Sequence, residues 1–140
     1  MLFRGKDDMM KAAEVILMKI CCAFDADKAV EAGKALDCEV IERYGDWCNG
    51  HPLYCWDSGS RSLVQCKKCG ALMLMQRSEY YAFGDDYYTD YFPVADREEA
   101  LLFNNDYSGF ALKEKYPGIY LMETNGKYSW GNRSKKNKKA

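Results

Sequence analysis

At 140 residues, 48% of them hydrophobic and 29% charged, the chain has the composition of one folded soluble domain, which excludes intrinsic disorder over most of its length. A net charge of −1 excludes a globally basic nucleic-acid binder. Seven Cys against a single His favour thiolate chemistry over imidazole chemistry.

In chain order, Asp7, Asp8, Lys11, Glu14 and Lys19 interrupt the apolar start and leave only residues 15–18 as an unbroken run. A secretory h-region needs about 7–15 apolar residues, so no signal peptide is expected. No stretch approaches the ~20 apolar residues of a membrane span, so the expected location is the cytoplasm, with no membrane partner. There, an odd number of cysteines reads as metal ligands or free thiols. Residues 7–24 suit a helix that is apolar on several sides (Met10, Val15, Leu17, Phe24). Asp25-Ala-Asp27 breaks it and can cap a second helix, with Val30, Gly33, Val40 or Ile41, and Tyr44 at helical spacing and Gly45 as C-cap. Cys21, Cys22 and Cys38 then read as small buried residues of a helical hairpin.

After Gly45 the texture changes to short strands and turns. Residues 52–56 and 61–65 flank Asp57-Ser-Gly-Ser60, four turn formers, and predict a hairpin. Residues 71–76 and 87–92 are further strand candidates. Asp96-Arg-Glu-Glu99 has the form of a capping box ahead of a short helix. Asn125-Gly126 between residues 119–123 and 127–130 predicts a type I′ hairpin. The expected fold is therefore α+β. A helical hairpin spans residues 1–45, a small antiparallel β-rich module with one short helix near 96–105 spans 46–132, and a disordered basic tail spans 133–140.

The chemistry concentrates between residues 48 and 69. Cys48-Asn-Gly-His51 is a C-x2-H pair and Cys66-Lys-Lys-Cys69-Gly70 a C-x2-C pair, and each spacer lets a tight turn aim two side chains at one ion. Structural Zn²⁺ takes four such N/S ligands in a tetrahedron. Cys48, His51, Cys66 and Cys69 form the expected set. Cys55 is the alternative to Cys48, because a looser loop would bring it within reach. Two knuckles flanking a hairpin resemble the zinc-ribbon class of small metal modules, from Cys48 to about Gln76, with His51 in place of the commoner fourth Cys. The resemblance implies a fold element, because ribbons serve in transcription factors, ribosomal proteins and nucleases alike. The stretch Cys55-Trp-Asp-Ser-Gly-Ser-Arg61 and the Tyr-rich segment after it are similar to an uncharacterised bacterial family.

With His51 as a ligand, the chain has no histidine left to act as general base, and a closed four-ligand site argues against a metal-dependent hydrolase. No catalytic residue is nominated. Charge is the more informative feature. Five of the 20 basic residues fall in residues 133–139, leaving the body with 15 basic against 21 acidic residues. Between Glu79 and Glu99 stand seven acidic and seven aromatic residues. Tyr80, Tyr81, Asp85, Asp86, Tyr87, Tyr88, Asp90 and Tyr91 are accordingly the candidate face for a basic protein partner. The expected function is a zinc-stabilised protein-interaction module of inhibitor, immunity or adaptor type. The alternative is a nucleic-acid-associated ribbon using Lys67, Lys68 and the tail.

Overall fold

The computed structural model describes residues 20–26, 28–49, 57–80, 86–107 and 109–132. Six strands, β1 (Cys38–Asn49), β2 (Asp57–Cys66), β3 (Leu72–Tyr80), β4 (Asp86–Val94), β5 (Tyr120–Thr124) and β6 (Lys127–Gly131), form one antiparallel sheet in chain order. A 3-10 turn (Cys22–Asp25) and helix α1 (Ala29–Ala35) cover one face. Helices α2 (Arg97–Asp106) and α3 (Gly109–Lys115) cover the other.

This corrects the expected fold class. The protein is mostly a six-stranded antiparallel sheet with few helices, and the helical hairpin is not supported. The first expected helix falls largely outside the described residues. The second stops at Ala35, and from Cys38 the chain pairs with β2, running as one strand across the anticipated division at residue 45. Val40, Ile41 and Tyr44 fit a helical stripe, yet β-branched and aromatic residues also favour strands, and pairing along β2 decides between them. Gly45 explains part of the misreading. Its φ of 95° suits a helix C-cap, but here it sits at one of two register shifts in β1, between Arg43 and Gly45, as a glycine bulge does. The expected turn at Asp57–Ser60 is also strand. Ser58, Gly59 and Ser60 pair with β1 on one side and β3 on the other, so two ladders override a local turn preference.

Other local signals hold. The Asp96 carboxylate accepts from the Glu99 N–H at 2.8 Å, and Glu99 accepts from the Ala95 N–H at 2.8 Å, starting α2 as a capping box does. Asn125 and Gly126, at φ 51° and 82°, close the β5–β6 hairpin. Pro93 is tolerated in β4 because the β4–β5 ladder ends at Tyr91. Its carbonyl accepts instead from the Tyr116 hydroxyl at 2.6 Å, so the missing N–H on that same side costs no ladder bond.

Alternation along the strands builds two cores. Leu63, Leu74, Phe92 and Tyr120 face α2 and α3 and pack on Ala100, Leu112 and Tyr116. Val64, Met73 and Leu121 face the 3-10 turn and α1. In the first core, Tyr120 lies over its cross-strand partner Gly131, where a Cβ would overlap the phenol ring. Gly131→Ala is therefore expected to lower stability by about 1–3 kcal/mol, read from urea unfolding. No helix among the described residues is long and apolar enough to cross a membrane.

Candidate metal centre

Four cysteines converge at one end of the sheet: the Sγ atoms of Cys21, Cys22, Cys66 and Cys69 all lie within 4.8 Å of one another. Cys66 ends β2, and residues 67–70 turn the chain into β3, with Gly70 N–H donating to the Cys66 carbonyl at 2.9 Å. Gly70 takes φ 81°, which a residue without Cβ reaches readily. The C-x2-C knuckle is thus the β2–β3 hairpin turn.

The second pair comes from the opposite side of the same core. Cys21 is extended, with ψ 139°, whereas Cys22 begins the 3-10 turn, whose first bond runs from Phe24 N–H to the Cys21 carbonyl at 2.9 Å. The change of backbone direction between neighbouring residues lets both thiols aim at one point. Cys22 Sγ stands 3.9 Å from Cys66 Sγ, and the Cys22 N–H donates to Cys69 Sγ at 3.4 Å. A tetrahedral ion with M–S bonds near 2.3 Å places its sulfurs about 3.8 Å apart. The cluster already has that scale, so these four residues fit one metal ion.

The thiols differ among themselves. Burial drives Cys21 strongly upward, helped by its neighbours Cys66 and Cys69 and opposed by a backbone bond from Ala23. Burial also raises Cys69, but N–H donors from Cys22 and Ala71 and the adjoining thiols outweigh it and bring it down to about 7. Cys69 therefore gives up its proton to a cation more readily than Cys21 or Cys22, whose thiols burial raises. Cys38 is the cross-strand partner of Cys66 but stands outside the cluster; burial, then Cys66, push it up to about 12. Lys67 and Lys68 are exposed on the knuckle, and Lys67 Nζ lies 3.8 Å from Asp37 Oδ1.

Of the ligands expected from sequence, the structure brings Cys66 and Cys69 together. His51 and Cys55 lie outside the described residues. The β1 backbone places Cys48 opposite Ser58, eight residues along β2 from Cys66, or about 26 Å at ~3.3 Å per residue. Cys21 and Cys22, expected as helical core residues, are the partners that sequence reasoning missed. A Cys-Cys pair two residues before the Asp25-Ala-Asp27 break was the available signal.

The Tyr-rich segment divides between the two sheet faces. Tyr80 and Asp86 are cross-strand partners at the ends of β3 and β4, and Tyr81 and Asp85 lie outside the described residues. Tyr87 is exposed, at 53%. Tyr91 is half-buried, and burial raises its hydroxyl to about 12. Tyr88 is half-buried under the Lys113 ammonium, 4.2 Å from its ring centroid. Asp90 is 0% exposed, so it belongs to the interior rather than to an accessible face. It ends a buried polar row of cross-strand neighbours, Arg61–Gln76–Asp90, in which Arg61 Nε donates to Gln76 Oε1 at 2.7 Å. Lys113 Nζ stands 3.6 Å from Asp90 Oδ1.

The chain matches no known protein family, no curated protein and no solved structure.

Proposed function

We propose that the protein is a zinc-stabilised interaction module, with Cys21, Cys22, Cys66 and Cys69 as the zinc ligands. The observation that carries this reading is the convergence of four thiols within 4.8 Å. All-thiolate tetrahedral sites select zinc or iron, and a set closed by four protein ligands suits a structural ion. Elemental analysis of the purified chain is expected to give about one zinc per chain, with no visible absorption band. Iron in place of zinc, or no metal taken up on titration, overturns it.

The interaction half of the proposal rests on charge and on Tyr87. A body with 15 basic against 21 acidic residues favours encounter with a cationic protein surface, and Tyr87 offers an exposed ring beside it. A second reading, nucleic-acid association, is favoured by exposed Lys67 and Lys68 on the knuckle. Binding to mixed-sequence DNA that weakens steeply with salt, and is lost in Lys67→Ala/Lys68→Ala, would move the assignment to that reading.

A further inference from the structure

The two faces of the sheet are covered very unequally. On one, α2 and α3 seat Leu112, Tyr116 and Ala100 on Leu63, Leu74, Phe92 and Tyr120, a core of large side chains that includes the Phe92–Tyr120 ring contact at 4.5 Å. On the other, the covering layer is a four-residue 3-10 turn and a seven-residue helix. Its buried contributions are Cys21, Ala23, Ala29 and Ala32, with half-buried Phe24 reaching the Trp130 ring at 5.2 Å. Alanines remove little apolar area from water, and helices of this length are not stable alone. Small side chains let the layer lie close to the sheet but do little to keep it there. Beyond these contacts the cluster adds a tie to the sheet, because Cys21 and Cys22 belong to the layer while Cys66 and Cys69 belong to the β2–β3 turn.

We infer that metal occupancy controls whether the layer formed by residues 20–26 and 28–35 stays docked: loss of the ion releases it and bares Val64, Met73, Leu121 and Trp130, while the strands and the α2–α3 side remain folded. The inference rests on the metal reading above. Released, the layer leaves an apolar sheet face open in place of a covered one, so the ion works as a gate on that face as well as a clamp.

The far end of the layer provides a control that touches no ligand. Gly33 of α1 packs directly on Tyr128, and a Cβ there would stand 2.5 Å from the ring, its Cγ included, so a simple swing of the ring tip does not relieve the clash. If docking and metal binding are one linked event, weakening either weakens the other.

The test is hydrogen exchange followed by mass spectrometry on the full chain, zinc-loaded and after chelation. Peptides covering residues 28–36 are expected to lose protection on chelation, while peptides covering residues 72–80 and 110–116 keep theirs. In parallel, Gly33→Ala is expected to bind zinc about ten- to a hundredfold more weakly in competition with a chelator, with residues 72–80 still protected. Bound zinc whose removal leaves residues 28–36 protected overturns this inference alone, as does loss of protection across all three regions together or an unchanged zinc affinity in Gly33→Ala. A chain that takes up no zinc overturns the metal reading and this inference with it.

Discussion

The Cys66→Ser variant is expected to lose its metal, with affinity falling by more than about 100-fold, since even changes to groups that merely support a ligand cost 10–100-fold. Cys66 is 1% exposed, ends a strand paired on both sides, and lies 3.9 Å from Cys22 Sγ. A serine hydroxyl is a poor substitute for a soft thiolate. Cys38→Ser is the matched comparison. Cys38 faces Cys66 across the ladder yet stands outside the cluster, and this variant is expected to keep about one equivalent of zinc. Chelator competition on both variants decides the matter. Full affinity in Cys66→Ser would remove the four-cysteine site, and loss of metal in Cys38→Ser would show that the ligand set is drawn differently.

The second large effect concerns pH. Burial pushes the Asp90 carboxyl up to about 6 from an ordinary 3.8, against opposing pulls from Lys113 and Gln76, and burial likewise holds the Lys113 ammonium below its usual range. A carboxyl raised in the folded state contributes stability that is fully present below its unfolded value and lost as pH rises through about 6. Two pKa units correspond to about 3 kcal/mol, which the ionised Asp90 withholds from the fold at pH 8. Replacing the pair by neutral groups, Asp90→Asn/Lys113→Met, is expected to make the protein more stable than the parent at pH 8, by a gap that shrinks by about 2 kcal/mol on going down to pH 4.5. Both changes are needed, because Asp90→Asn alone leaves the buried ammonium without its carboxylate. Urea unfolding of both chains across that range measures the gap. A constant difference, or one that widens on acidification, contradicts the assignment.

Signals confined to a few consecutive residues were legible in the sequence. Asp96 and Glu99, Asn125-Gly126, and the C-x2-C-G knuckle each act through a turn's own geometry, and each sits where it was expected. Residues 38–60 were not, for the opposite reason. Gly45 can end a helix or bulge a strand, and Ser58-Gly59-Ser60 can turn or extend; in both cases the choice was made by partners in β2, β1 and β3 distant in sequence. Half of the cysteine cluster was hidden the same way. Cys66 and Cys69 carry a recognisable spacing, but Cys21 and Cys22 become ligand candidates only when the sheet brings position 66 beneath them.

The order of the strands has a consequence for how the molecule assembles. Every strand pairs with its immediate neighbour along the chain, and apart from β4–β5, whose connection carries α2 and α3, these pairings are closed by short connections, the rapid kind of contact. Joining Cys22 to Cys66, by contrast, closes a loop over 44 positions. If the cluster holds an ion, Cys66 and Cys69 on the β2–β3 turn are the two ligands that local structure alone can bring together, whereas Cys21 and Cys22 need the longer closure. Full coordination would then report that residues 20–26 have docked against the β2–β3 turn.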